Sequence, residues 1–163
     1  MNVKRLLIKK QSGFTIPEIL VVIAVLVIIG FSLMLYSDPI YSVQTVTDRL
    51  LADIRYTQNL AMTQDDKYYI SFDSSTAYSI HNSAGVSQSH PYSHTTTQTL
   101  INGATFQSTS AFPNGVLVYD KTGRPYLDIA LTQPLSGGMA ALCINAAGSI
   151  GCVYVNPQTG YVE

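Results

Sequence analysis

The sequence predicts an α+β fold in which a long N-terminal helix precedes a mainly antiparallel β-sheet domain. Residues 19–37 carry no charge, residues 39–66 alternate apolar and polar positions at helical spacing, and short aromatic and β-branched segments follow from residue 67. Short strands grouped after a helical region favour α+β over an alternating α/β arrangement. The 125 residues from 39 to 163 are enough for one domain.

The first 13 residues are a short basic leader. Their only charges are Lys4, Arg5, Lys9 and Lys10. A basic head before an apolar run is typical of a secretory signal or a membrane anchor. A secretory signal is cut after its apolar run, whereas the small residue Gly13 lies before it. We therefore expect the apolar helix to stay on the mature protein.

The apolar run has the length of a membrane span. Its 19 residues would cover about 28 Å as a helix, against a hydrocarbon core of about 30 Å. The leader is basic and the next basic residue is Arg49, which predicts a cytoplasmic N-terminus and a periplasmic head. Glu18 then lies at the cytoplasmic face, where a carboxylate either finds a partner or faces the interfacial water.

The junction of leader and run carries the most specific motif. Residues 13–18 read Gly-Phe-Thr-Ile-Pro-Glu and are followed by Ile-Leu-Val-Val. This resembles the prepilin cleavage motif of type IV pilins and type II secretion pseudopilins. The resemblance implies that a prepilin peptidase cuts between Gly13 and Phe14 and methylates the Phe14 amine. It also implies that Glu18 sets the register between subunits, and the free Phe14 amine of an adjacent subunit is a suitable partner.

One position departs from the motif, and one alternative stays open. Pro17 is unusual at the fourth mature position, but a proline in the first helical turn loses no intrahelical hydrogen bond. The alternative is a generic N-terminal anchor with an accidental glycine. The predicted organisation is a cleaved leader at 1–13, a transmembrane and filament-core helix at 14–38, an amphipathic helix at 39–66 and a β-rich periplasmic part at 67–163, with 39–163 as one domain.

The amphipathic segment predicts a helix that packs on the β-rich part. Ser37-Asp38-Pro39 combines a cap candidate with proline at a first helical position. Apolar residues at helical spacing form a stripe along one face of this helix: Val43, Val46, Leu50, Ile54 and Ala61. We place four charged residues off this stripe: Asp48, Arg49, Asp53 and Arg55. We expect the helix to end near 64–66.

The strands are predicted in pairs around turn residues. We expect hairpins of 68–72 with 77–80, of 115–119 with 126–131 and of 139–144 with 150–155, and further strands near 97–101 and 104–107. Residues 81–96 form a long polar insertion. His81, His90 and His94 suggest a metal site, but the segment holds no cysteine or carboxylate, so we interpret it as a solvated loop with no metal. Contact with a partner through Tyr92 is left open.

Cys143 and Cys152 are placed for a cross-strand disulfide. Their midpoint lies between Ala147 and Gly148, where the turn residues are. Opposed residues of a non-hydrogen-bonded antiparallel pair have Cα atoms about 4.5 Å apart, within reach of a disulfide. A periplasmic head lies in an oxidising compartment. We predict a structural disulfide, with two free buried thiols as the alternative.

Charge and motifs disfavour nucleic-acid binding and catalysis. The chain has 9 basic and 10 acidic residues, and removal of the leader leaves five basic residues, too few for a phosphate-binding surface. The sequence contains no nucleophile elbow, phosphate loop, His-Glu-x-x-His or Cys-x-x-Cys motif. We therefore predict a structural subunit without catalytic residues or a cofactor.

Three further segments narrow the resemblance. Residues 50–61, the turn at 118–125 and residues 155–162 resemble H-class minor pseudopilins and FimT-type minor pilins. The cysteine pair and short leader resemble minor pilin C of mannose-sensitive haemagglutinin pili. The resemblance implies a minor subunit that initiates or caps a type IV pilus, with other pilins, the prepilin peptidase and the inner membrane as partners. The alternatives are a type II secretion pseudopilus subunit and a membrane-anchored periplasmic binding or adhesion module that never polymerises.

Overall fold

Two compact units make up the chain. The computed structural model describes residues 15–35, 39–108 and 111–163. The division falls between residues 37 and 38, and we call the unit from residue 38 onward the head. The first unit contains the helix α1, Ile16–Leu35. The predicted leader and the predicted cap residues Ser37 and Asp38 lie outside the described residues.

The helix α2, Pro39–Gln64, opens the head. It begins at Pro39, where the missing N–H costs nothing because first-turn amides have no intrahelical partner. It ends before Asp65, whose φ of 52° leaves the helical region. The predicted apolar stripe is confirmed, since all five of its members are buried: Val43, Val46, Leu50, Ile54 and Ala61.

Within the described residues, nine strands follow α2. They are β1 Tyr68–Ser71, β2 Ala77–Asn82, β3 Ser87–Gln88, β4 Thr97–Thr99, β5 Thr105–Ser108, β6 Val116–Tyr119, β7 Pro125–Tyr126, β8 Ala140–Ala146 and β9 Ser149–Val155. One sheet has the order β3-β2-β1-β6-β7, with β4 also paired to β2, and the other has the order β5-β8-β9. All of these pairings are antiparallel, which confirms the predicted α+β class.

The core of the head lies where α2 meets both sheets. Burial alternates along β8, with Leu142 and Ile144 fully buried on the inner face. They belong to one cluster with Leu50 and Ile54 of α2. Each such side chain contributes about 1.5–3 kcal/mol by leaving water, so the contact of α2 with the sheets supplies a large part of the stability of the head.

A glycine sets the distance between α2 and β9. A Cβ atom at Gly151 would overlap the Thr47 hydroxyl and would lie 2.7 Å from Val43 Cγ1. Glycine within a strand often marks such a close approach. Because it has no side chain, Gly151 lets the edge of the second sheet lie directly on the first turns of α2.

The last residues of the chain are bound to α2. Gln58 Nε2 donates hydrogen bonds to the carbonyl oxygens of Gly123 and Thr159, both at 2.9 Å. Arg55 Nη2 donates to the carbonyl oxygen of Val162 at 2.8 Å. The Arg55 guanidinium also lies 5.5 Å from the centroid of the Tyr161 ring. Two side chains of the first head helix thereby hold the C-terminal segment.

One predicted strand is wrong beyond its first residue. The segment expected at 126–131 pairs only through β7, and the chain then turns. The Asp128 carboxylate accepts the amides of Thr132 and Gln133, at 3.0 and 2.7 Å. Desolvation acts to raise the pKa of Asp128, but the hydrogen bonds from Thr132 and Gln133 bring it below its usual value. Aspartate favours such turns over strands.

Candidate assembly site

Glu18 forms its half of a capping box with Thr15 at the start of α1. The Thr15 carbonyl oxygen accepts the amides of Glu18 and Ile19, at 3.0 and 3.2 Å. In return, Glu18 Oε2 accepts the Thr15 amide at 3.4 Å. Thr-x-x-Glu at a helix start is the sequence signature of this arrangement. This contact was not among the predictions from the sequence, although the Thr-x-x-Glu spacing indicates it.

The Glu18 side chain keeps capacity for a second partner. It is exposed, and among the described residues only Oε2 has a hydrogen-bond partner. Pro17, the departure from the cleavage motif, is the second residue of α1 and needs no amide hydrogen. The cap therefore fixes the position of the carboxylate and leaves one oxygen open to an external donor.

The surface of α1 is apolar. Every residue from Thr15 to Ser32 is exposed, including Ile16 at 78% and Val27 at 64%. The Ser32 hydroxyl donates to the Ile28 carbonyl oxygen at 2.8 Å, which satisfies a polar group without an outside partner. Among the residues that the structure describes, no helix has both the length and the apolar character needed to cross a membrane.

The two predicted processing residues cannot be placed. Gly13 and Phe14 both lie outside the described residues, which begin at Thr15. Cleavage between them, methylation of Phe14 and its pairing with Glu18 therefore stay predictions.

The head buries a polar cluster that joins α2 to the polar insertion. Asp53 Oδ2 accepts the Tyr78 hydroxyl at 2.7 Å and lies 2.9 Å from His90 Nδ1. Asp53 and His90 are each 1% exposed. Burial raises the pKa of the Tyr78 hydroxyl well above its usual value, and the neighbouring Asp53 carboxylate raises it further. Asp53 Oδ1 and His90 Nε2 have no hydrogen-bond partner in the described residues.

Two predictions about this cluster are wrong. Asp53 does not lie off the buried face of α2, and His90 is not part of a solvated loop. The spacing of Val46, Leu50, Asp53 and Thr57, four, three and four residues, places all four on one helix face, and all are buried. That spacing indicated a buried carboxylate, which in turn needs a donor.

The three histidines of the insertion are not brought together. His81 contacts Ser79 through Nε2 at 2.8 Å and stacks on Tyr69, whereas His94 is exposed. Within the described ranges, no group of three or more His, Cys, Asp or Glu side chains could hold a metal ion. Tyr92, the residue considered for partner contact, is 68% exposed.

The cysteine register predicted from the sequence is confirmed. Cys143 of β8 pairs directly with Cys152 of β9, and the two form a disulfide with Cα atoms 4.1 Å apart. The turn falls between Ala146 and Ser149. At its centre, Ala147 and Gly148 have φ of 51° and 83°, as a two-residue hairpin turn requires.

Comparisons with known proteins agree with this geometry. Residues 8–34 match the family model of the prokaryotic N-terminal methylation motif. No curated protein matches the sequence. A crystal structure of the type IV minor pilin FimU from Pseudomonas aeruginosa PAO1 is 17% identical, with a TM-score of 0.52, over 74% of this chain and 86% of that chain. A second crystal form gives a TM-score of 0.50 over 74% and 90% of the two chains.

At this identity the structural likeness concerns the fold, and the methylation motif is an independent observation on the N-terminal segment. The motif includes most of the apolar helix α1, and the chain has a fold similar to that of a type IV minor pilin. Together, these two findings show a pilin-like fold behind a prokaryotic N-terminal methylation motif.

Proposed function

We propose that this chain is a minor pilin that takes part in initiating or capping the assembly of a type IV pilus. A prepilin peptidase cuts it between Gly13 and Phe14 and methylates the Phe14 amine. The mature chain then enters the filament through α1. The single observation that carries this proposal is the N-terminal methylation motif at residues 8–34, which includes the exposed apolar surface of α1.

Before assembly, the chain is a single-pass protein of the inner membrane with a cytoplasmic N-terminus and a periplasmic head. The basic leader and the following charge-free run support this orientation. The partners are the prepilin peptidase and the α1 helices of other pilins. The chain acts as a structural subunit, not as an enzyme, and nucleic acid is not among its partners. More specifically, we propose that the chain is a minor pilin of the H-class and FimT group, or one similar to minor pilin C of mannose-sensitive haemagglutinin pili.

Processing tests the proposal directly. Intact mass and N-terminal sequencing of the membrane-extracted chain should give a methylated N-terminus at Phe14. Gly13→Val should retain the leader. Gly30→Val is the matched control, since a Cβ there meets nothing within 4 Å. An N-terminus at Met1, or a cut beyond residue 31, would refute the pilin assignment.

A second measurement separates the filament types. Deletion of the gene should reduce surface pili, and the chain should co-purify with sheared filaments. Loss of secreted enzymes with normal pili would assign the chain to a type II secretion pseudopilus. A chain that stays in the membrane fraction and never enters a filament would be the anchored binding module.

A further inference from the structure

The segment 89–96, which we call the clasp, is held on the head by one buried side chain. His90 is 1% exposed, whereas the other clasp residues are exposed or half-buried. The His90 ring contacts Asp53 of α2 through Nδ1 and lies edge-on to the Tyr78 ring, with centroids 5.4 Å apart. Docking of the clasp on α2 therefore depends on the pair of His90 and Asp53.

The backbone of the clasp closes on itself. The His90 amide donates to the Thr95 carbonyl oxygen at 2.9 Å, and the His94 amide donates to the His90 carbonyl oxygen at 3.0 Å. The flanking strands β3 and β4 are each paired with β2. The clasp can therefore leave α2 as a unit without breaking a strand pairing of either sheet.

The charged groups around His90 and Asp53 influence the stability of their contact. Tyr78 on β2 donates to the same carboxylate oxygen, and Arg49 on α2 lies close enough to act electrostatically on Tyr78. Farther out, the exposed Asp48 lines one cleft with Arg49, Ala52 and Tyr92. Within the described residues, His90 Nε2 and Asp53 Oδ1 have no hydrogen-bond partner. The burial of the His90 ring is therefore compensated by its contact with Asp53 Oδ2, which also accepts the Tyr78 hydroxyl.

We propose that the clasp is an acid-released element, opened when the Asp53 carboxylate takes up a proton while the rest of the head stays folded. With a neutral imidazole, Nδ1–H donates to the carboxylate, and with a charged imidazole the two form an ion pair. Once Asp53 is protonated, a buried imidazolium faces an uncharged carboxyl with Arg49 nearby. A buried charge without a counter-charge is strongly unfavourable, so His90 moves into water and takes the clasp with it.

Opening of the clasp would change the cleft that Tyr92 lines together with α2. In the closed state Tyr92 lies beside Arg49 and Ala52 at the edge of α2. In the open state that cleft loses its aromatic wall. The inference rests on the head alone and does not require the proposed function.

A tryptophan reporter can follow the clasp because the chain contains no tryptophan. In the full-length Tyr92→Trp chain in detergent, tryptophan emission and acrylamide quenching should change in one step as the pH is lowered. The far-UV circular dichroism signal should be unchanged over that step.

Two variants in this background test the mechanism. Asp53→Asn leaves the imidazole without an anionic partner, so opening should occur at a higher pH than in the parent. His90→Gln keeps an N–H donor without the charge, so the acid step should disappear. The proposal is overturned by an emission constant down to global unfolding, by an Asp53→Asn midpoint equal to that of the parent, or by an acid step that persists in His90→Gln.

Discussion

Cys143 and Cys152 face each other directly across the β8–β9 hairpin, nine residues apart in the chain and bonded through their sulfur atoms. Their neighbours Leu142 and Val153 are also directly paired, and both are fully buried. A slip of one residue would turn such side chains toward solvent. The disulfide thus fixes the register in which the inner face of the second sheet is apolar.

Loss of this bridge should destabilise the head without changing its fold. For a loop of this length, the chain-entropy model gives about 2–3 kcal/mol. Cys143→Ser should therefore lower the free energy of unfolding by that amount in urea titration. Reduction of the parent chain should give the same loss. Thiol labelling of the unreduced, denatured chain is the control, and two reactive thiols per chain would contradict the bridge.

Glu18 can be tested for two roles at once. Glu18→Ala removes both the cap acceptor and the charge, whereas Glu18→Gln keeps an oxygen for the Thr15 amide. If the charge pairs with a neighbour's Phe14 amine, both variants should be processed and inserted but poorly incorporated into filaments, because breaking a buried pair costs about 3–5 kcal/mol. Normal incorporation of Glu18→Gln would limit Glu18 to capping, which is worth about 1 kcal/mol.

Gly160 should tolerate no side chain. It has φ of 68°, and a Cβ there would overlap the Gly123 carbonyl oxygen and lie 2.7 Å from Gln58 Nε2. We expect Gly160→Ala to lower the free energy of unfolding by more than about 2 kcal/mol. Gly103→Ala is the matched control, with the same φ of 68° and nothing within 4 Å. Equal losses in the two variants would show that backbone strain alone acts at Gly160.

The pKa of Asp66 should depend on Ser83. The Ser83 hydroxyl donates to the Asp66 carboxylate and, with the Lys67 amide, lowers its pKa. Ser83→Ala should move this pKa up toward the ordinary value in an NMR titration of the carboxyl carbons. Asp128 is the internal control: hydrogen bonds from Thr132 and Gln133 lower its pKa, and Ser83→Ala should leave that pKa unchanged.

The same pair predicts a pH dependence. Because the pKa of Asp66 is lower in the folded chain, its contribution to stability is present above the pKa of the unfolded chain and is lost as pH falls through the folded value. The stability difference between Ser83→Ala and the parent should therefore be small at neutral pH, since the group is exposed, and should vanish in acid. A difference that grows in acid would contradict this assignment.

Local patterns were enough to predict much of the fold. The stripe from Val43 to Ala61 and the hairpin centred at Ala147 both follow from short-range spacing, and both are confirmed. The strand predicted at 126–131 is wrong because the Asp128 carboxylate closes a turn. The apolar residues around Asp128 do not indicate this turn.

The buried cluster shows where sequence reasoning stops. Asp53 and His90 are 37 positions apart, so only the packing of the polar insertion on α2 brings them together. Each residue alone suggests exposure. The Asp53 position had a signal in its spacing from Leu50 and Thr57, but nothing in the sequence identifies His90, rather than His81 or His94, as its partner.

The contacts of α2 with residues 159–162 make completion of the head depend on parts of the chain that are far apart in sequence. The Arg55 contact with Val162 spans 107 positions, and the Gln58 contact with Thr159 spans 101. Contacts of such separation form only after the intervening chain is ordered, since their loop-closure entropy is large. A chain truncated before Thr159 would lose both contacts and also Val162, which is fully buried in the core. Ordering of residues 159–162 on α2 is thus a late step in the folding of the head.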